Sequence, residues 1–284
     1  MMEFRTEVNI DKADYEIRPS DRLLFVGSCF ADNLGKRFVE NRFRAVVNPY
    51  GVMYNPTSVN HSVERFLKGE AFAKEDNSGA ADASDSRKVD VAIFTLGTNH
   101  VYILKETGEV VDNCQKRPQR LFEEKELSVG ACVVELSKAV WALLGQGVKR
   151  IIVTVSPIRY AKYGFHQSQL SKATLLLAAD LLCERFPEVV RYFPAYEIVN
   201  DELRDYRFYK EDMLHPSDQA VEYIWQKFRQ TYFGKTAEEM LAEWKPIKEA
   251  LGHKPFDPDS EATKQFIAKT EEKKRQFEEK YFKQ

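Results

Sequence analysis

A chain of 284 residues, 43% of them apolar, can bury a large core. Its 42 basic and 44 acidic residues leave a formal net charge of −2, which sets aside a nucleic-acid partner or an anionic membrane held by overall charge. The richest apolar segment, Leu175 to Leu182, is interrupted by Asp180 and falls far short of the roughly 20 residues that span a bilayer, so no membrane partner is expected.

The opening residues, Met-Met-Glu-Phe-Arg-Thr-Glu, lack the basic start and the apolar run of about 7–15 residues found in a secretory leader. A cytoplasmic location follows as the expectation, with Cys29, Cys114, Cys132 and Cys183 kept as thiols. Their spacing matches no metal-binding pattern, and neither metal nor cofactor is expected.

In chain order, residues 1–21 read as an irregular lead-in that turns at Pro19-Ser20-Asp21. Leu23 to Val26 reads as a buried strand that stops at Gly27, and the segment 32–40 places Leu34, Phe38 and Val39 at helical spacing. Arg44 to Asn48 reads as a second strand. It runs into Asn48-Pro-Tyr-Gly51 and Tyr54-Asn-Pro56, a loop fixed by two Asn-Pro pairs, and a short helix follows over Ser58 to Leu67. Lys68 to Lys88, rich in Gly, Ala, Ser and Asp, reads as a surface loop.

A strand over Val89 to Leu96 ends at Gly97-Thr98-Asn99, and Val101 to Leu104 with Glu109 to Val111 make a hairpin. Glu124 to Leu144 reads as a helix, Arg150 to Val155 as a strand closed by Ser156-Pro157, Leu170 to Phe186 as a helix, and Val189 to Phe193 as a last strand. Ser217 opens a helix with Val221, Ile224, Trp225 and Phe228 on one face. This alternation predicts a parallel sheet covered on both faces, spanning residues 1–234. Residues 235–284 form a helical extension: Thr236-Ala-Glu-Glu239 reads as a capping box, Pro246 as a kink or stop, and Glu261 to Lys283 as a charged helix. The extension is expected to pack on the main domain or on a partner, self-association included.

Strand ends in such a sheet gather their loops at the carboxyl edge, where ligands bind in open α/β folds. Four loops meet there: Gly27-Ser28-Cys29, Asn48 to Gly51, Gly97 to His100, and Asp212 to His215. Ser28 and Cys29 are the two candidate nucleophiles. His215 is the candidate base, and Asp212 three residues earlier can orient it. A tetrahedral oxyanion needs donors, for which the amides at the first turn, the Gly51 backbone N–H and the Asn99 amide are the candidates.

The block Gly27-Ser-Cys-Phe-Ala31 resembles the signature of the GSCFA family, a group related to the SGNH/GDSL hydrolases. Further matching segments are Phe4-Arg-Thr-Glu7, Asn48 to Gly51, Tyr54-Asn-Pro56, Thr95 to Thr98, Thr154 to Pro157, Tyr192 to Glu197, Asp201 to Tyr209 and Asp212 to Pro216. The resemblance implies a flavodoxin-like three-layer α/β/α sandwich and metal-free ester hydrolysis or acyl transfer on a small-molecule or carbohydrate ester, an O-acetyl group among them.

In register, the SGNH nucleophile turn falls on Gly27-Ser28-Cys29, with Cys29 where those enzymes keep serine. Gly51 takes the second-block glycine, Gly97-Thr98-Asn99-His100 the third block, and Asp212 with His215 the last. His100 stands where an acidic residue is expected, Gln115 and Tyr160 where the family commonly has histidine, and a further histidine block is absent from residues 68–88. These departures keep open an alternative: a degenerate member that binds a ligand or a protein at the same edge.

Overall fold

The computed structural model describes residues 5–73, 87–112, 114, 117–254, 257 and 260–282. Five parallel strands form its centre: β1 (Arg22–Gly27), β2 (Arg44–Val47), β3 (Val91–Leu96), β7 (Arg150–Val155) and β8 (Val190–Tyr192), in the order β2-β1-β3-β7-β8. Counted by position within this sheet the order is 2-1-3-4-5, that of the flavodoxin-like fold. Side chains alternate across it. Leu23, Phe25, Val91 and Ile93 enter one core, while Leu24, Val26, Ala92 and Phe94 enter the other.

Helices cover both faces. On one side lie α1 (Cys29–Glu40), α6 (Asp218–Tyr232) and α7 (Lys235–Gly252); on the other lie α2 (Pro56–Leu67), α3 (Val129–Leu144) and α4 (Gly164–Arg185). Phe38 of α1 is the hub of the first core, with the rings of Phe25, Phe43, Trp225, Phe228 and Phe233 at centroid distances of 4.9–5.7 Å. No helix among the described residues is long and apolar enough to cross a membrane.

A second sheet, β5-β4-β6, is antiparallel: β4 (His100–Leu104) pairs with both β5 (Val110–Val111) and β6 (Phe122–Glu126). The expected hairpin is present, but the helix read over Glu124 to Leu144 is not a single element. Its first residues pair with β4, and the helix starts at Val129, where the Ser128 side chain accepts from the Ala131 N–H. Glu123-Glu-Lys-Glu126 has helical composition, and cross-strand pairing outweighs that propensity. The helix α4 begins at Gly164, six residues before the expected Leu170.

The β8 strand leads into a short helix, α5 (Ala195–Glu197), that continues as a π-helix over Ile198–Leu203. In the extension, α7 starts from Gly234 without a side-chain cap, so Thr236 sits in its first turn and caps nothing. Nor does Pro246 end the helix, which runs on to Gly252. Both α7 and α8 (Glu261–Phe282) pack on the main domain: Met240, Trp244, Ile247 and Phe277 belong to the first core. The Trp244 indole N–H donates to the Glu40 carbonyl at 2.8 Å, and Arg42 pairs with Glu278. Most of the loop read over Lys68 to Lys88 lies outside the described residues, as do Phe4 and Gln115.

Candidate active site

The turn after β1 is fixed from both sides. Gly27 has φ +150°, and a Cβ there would lie 2.2 Å from the Thr95 carbonyl oxygen, so only glycine fits between β1 and β3. The Gly27 N–H donates to the Asn48 side-chain oxygen at 2.9 Å, and its carbonyl accepts from the Met53 N–H at 2.8 Å. The Asn48 amide in turn donates to Asp32 of α1 at 2.7 Å. The first turn of α1 is therefore tied to the loop after β2.

Ser28 and Cys29 face different surroundings. Ser28 is the N-cap of α1, fully buried; its hydroxyl accepts from the Phe30 N–H at 3.2 Å and lies 3.1 Å from the Thr95 hydroxyl. Sealed in this way, it serves as a helix cap, and no substrate reaches it in this conformation. Cys29 is the first helical residue, partly exposed, with its Sγ 3.5 Å from the Tyr54 hydroxyl.

At the other candidate pair, one Asp212 carboxylate oxygen accepts from the backbone N–H groups of Leu214 and His215, at 2.9 and 3.0 Å. The second lies 2.6 Å from His215 Nδ1. These contacts, the His215 backbone N–H first among them, hold the Asp212 carboxyl down at about 2. His215 Nε2 takes no protein partner among the described residues.

The loop that carries this pair is fastened to the end of β7. The Arg159 N–H donates to the Leu214 carbonyl at 3.0 Å, and the Arg159 guanidinium to the Met213 carbonyl at 2.9 Å. Next along the chain, the Tyr160 ring stands edge-on to Tyr54 at 6.0 Å. Contacts thus run from the His215 loop through Arg159, Tyr160 and Tyr54 to Cys29, all on the carboxyl rim of the sheet. No hydrogen bond joins His215 to Ser28 or Cys29 among the described residues.

Two of the expected oxyanion donors are committed elsewhere. The Gly51 N–H closes a turn onto the Asn48 carbonyl at 2.9 Å. The Asn99 amide donates to the Leu127 carbonyl at 2.9 Å and its backbone N–H to the Ser171 hydroxyl at 3.0 Å, so this buried residue braces β6 and α4 against the end of β3. His100, also buried, stacks on Tyr163 at 3.8 Å with Nδ1 3.2 Å from a Glu124 carboxylate oxygen, and it makes no contact with Cys29. The Gly51 N–H and one N–H of the Asn99 amide are thus engaged within the loops they shape.

Two residues that sequence reasoning passed over stand here. Tyr54 reaches Cys29, and its carbonyl accepts from the Gly97 and Thr98 N–H groups at 2.9 and 2.8 Å. Lys172 of α4 is buried, and its ammonium donates to the Gly97 and Ser156 carbonyls at 2.7 Å each, closing the gap between the ends of β3 and β7. The Tyr160 ring lies 4.9 Å away. Burial without a carboxylate partner pushes Lys172 down to about 7. The sequence signals Tyr54 only through the asparagine-proline pair that follows it and the family-matching segment Tyr54-Asn-Pro56, and it gives no signal for Lys172. No group of three or more His, Cys, Asp or Glu side chains among the described residues is arranged to hold a metal ion.

Comparison with solved structures finds distant likenesses to ester hydrolases. Axe2, an acetylxylan esterase from Geobacillus stearothermophilus studied as a catalytic mutant, matches at 14% identity and a TM-score of 0.46, over 77% of this chain and 97% of that one. A GDSL-like lipase from Bacteroides thetaiotaomicron matches at 10% identity and a TM-score of 0.44, over 77% and 88%. A carbohydrate esterase family 3 protein from Talaromyces cellulolyticus matches at 9% and 0.39, over 79% and 99%. At these scores the likeness carries no functional weight. No curated protein matches the sequence. The family profiles are decisive where those likenesses are not: the one described as "GSCFA family" matches residues 22–85 and 79–228, and the one described as "GSCFA domain protein, C-terminal domain" matches residues 244–283. Matched over most of its length, the chain belongs to the GSCFA family.

Proposed function

We propose that this protein is an SGNH-like hydrolase or acyltransferase that acts on a small-molecule or carbohydrate ester, O-acetyl esters among the candidates. The observation that carries the reading is the Asp212–His215 pair, 2.6 Å apart with Nε2 unengaged, on the same rim as the partly exposed Cys29 thiol. Cys29 Sγ attacks the ester carbonyl, and His215 Nε2 takes the thiol proton and returns it to the departing alkoxide. Asp212 holds the imidazole in the required tautomer and stabilises its cation. The thioester is then cleared by water, or by a second alcohol in a transfer reaction, with His215 as base again.

The test is turnover of p-nitrophenyl acetate and of acetylated oligosaccharides, with mass spectrometry of the acyl-enzyme. Wild type should acetylate at Cys29 and turn over, while Cys29→Ala and His215→Ala should each lose activity by about 100-fold or more. Equal turnover by wild type and His215→Ala removes the base assignment.

A second reading is favoured by the lack of any bond between His215 and Cys29: a non-catalytic member that holds a ligand at this rim or a partner at its C-terminal helices, self-association included. Phe266 and Ile267 of α8 are exposed there. Thiols of ordinary reactivity and a concentration-dependent mass lost with changes at Phe266 and Ile267 would support it.

A further inference from the structure

Acyl transfer at Cys29 needs donors for the oxygen that becomes negative as the carbonyl is attacked, and of those expected beside the amides of the first turn, two are engaged elsewhere. The Gly51 N–H closes its own turn and the Asn99 amide serves the Leu127 carbonyl. One side-chain donor does reach the nucleophile: the Tyr54 hydroxyl, 3.5 Å from Cys29 Sγ. We infer that Tyr54 is a catalytic residue whose hydroxyl stabilises the tetrahedral oxyanion formed at Cys29. The inference rests on the covalent reading above and adds to it a side-chain donor beside the amides of the first turn.

The geometry suits that task. In the tetrahedral adduct the oxyanion is bonded to the same carbon as the sulfur, so a hydroxyl already at the sulfur needs only a small rotation to reach an oxyanion donor distance of roughly 3 Å. The Tyr54 backbone cannot drift, because its carbonyl is held by two N–H groups at the end of β3 and Asn55 caps α2. Tyr160 walls one side of the ring, and the hydroxyl of Tyr160 itself lies over Gly97, where a Cβ would come within 2.4 Å of it. Burial first, and then the contact with Cys29, push the Tyr54 phenol upward, so it remains a proton donor across the working range of an esterase.

The step balances without a further reagent. The Cys29 sulfur forms a bond to the carbonyl carbon while the carbonyl π pair moves to oxygen. Tyr54 donates a hydrogen bond to that oxygen and keeps its proton. When the pair returns, the bond to the alkoxide breaks, and the alkoxide takes the proton that His215 received from Cys29.

The test compares wild type, Tyr54→Phe and Tyr15→Phe in steady-state turnover of p-nitrophenyl acetate and in the rate at which Cys29 becomes acetylated, followed by mass spectrometry. Tyr54→Phe keeps the ring packing and both backbone hydrogen bonds, and an unchanged thermal midpoint verifies this. Its kcat and Cys29 acetylation rate should fall about 100-fold with KM changed less than about twofold, because the lost bond exists only in the transition state. Tyr15→Phe, which removes a hydroxyl without a hydrogen-bond partner beside Arg150 at the start of β7, away from the rim, should stay within about twofold of wild type. Acetylation of Cys29 in wild type at a rate that Tyr54→Phe matches within twofold overturns the inference alone. Wild type that never acetylates at Cys29 overturns the covalent reading and the inference with it.

Discussion

Replacing Lys172 by methionine should flatten the pH dependence of this protein's stability between about pH 6 and about pH 9. Lys172 is buried, without a carboxylate partner, and donates to the Gly97 and Ser156 carbonyls. Its proton is held more weakly in the folded state, at about 7, than at the ordinary lysine value of 10.5. At pH values between those two the unfolded chain binds more protons than the folded one, so stability rises with pH across that window. Below about 7 both states carry the charge, and its burial costs the fold in full. The gap between about 7 and 10.5 corresponds to about 5 kcal/mol. About 3 kcal/mol of that should be regained between about pH 6 and about pH 9, with the rest recovered nearer the unfolded value.

The assay is urea unfolding of wild type and Lys172→Met at several pH values across that range. Methionine leaves two carbonyls without a donor and adds a constant offset, so the informative quantity is how the difference between the two proteins changes with pH. Wild type should gain about 3 kcal/mol relative to the variant over the range. A difference that stays constant within about 0.5 kcal/mol would show that Lys172 titrates as an exposed lysine does, and would refute the claim that it is sealed between β3 and β7.

Asp212→Asn should lower turnover by about 100-fold or more while leaving the thermal midpoint nearly unchanged, because the pair is exposed and acts on the imidazole tautomer; unchanged kcat would separate Asp212 from the chemistry. Phe38→Ala should destabilise the protein by about 3–5 kcal/mol in urea unfolding, since five rings close on that side chain; a loss under about 1 kcal/mol would contradict the hub. Gly97→Ala places a Cβ 2.4 Å from the Tyr160 hydroxyl and should cost about 1–3 kcal/mol and reduce turnover, measured by melting and by ester hydrolysis. A chain ended at Gly234 should aggregate or bind a hydrophobic dye, because Met240, Trp244 and Ile247 complete the first core; a stable, monomeric product would show residues 235–284 to be dispensable.

The sheet was readable because its strands are short apolar runs ended by turn residues, and a sheet buried on both faces demands that pattern. Gly27 was readable for a related reason: a strand that stops at glycine before a helical period announces a tight turn. The strand at Phe122 to Glu126 was not, since four charged residues in a row look helical until β4 supplies a pairing partner. At the rim, the Asp212–His215 pair lies within one loop, and local spacing revealed it. The commitments of Asn99 and Gly51 depend on which N–H finds which carbonyl after the loops fold, and Lys172 sits in a helix where its neighbours give no sign that it points inward.

That distinction explains why the rim reads differently in sequence and in space. A nucleophile, a base and its orienting carboxylate must be particular side chains, so their residue types survive as a pattern. Donors and braces can come from any N–H or O–H that arrives at the right place. Here a continuous path of such groups crosses the site: the Lys172 ammonium holds the Gly97 carbonyl, the Gly97 N–H holds the Tyr54 carbonyl, and the Tyr54 hydroxyl meets Cys29 Sγ. The buried lysine is therefore linked to Cys29 through backbone groups of Gly97 and Tyr54. Its charge costs stability at neutral pH, and the return is a fixed position for the one side-chain donor that reaches the sulfur.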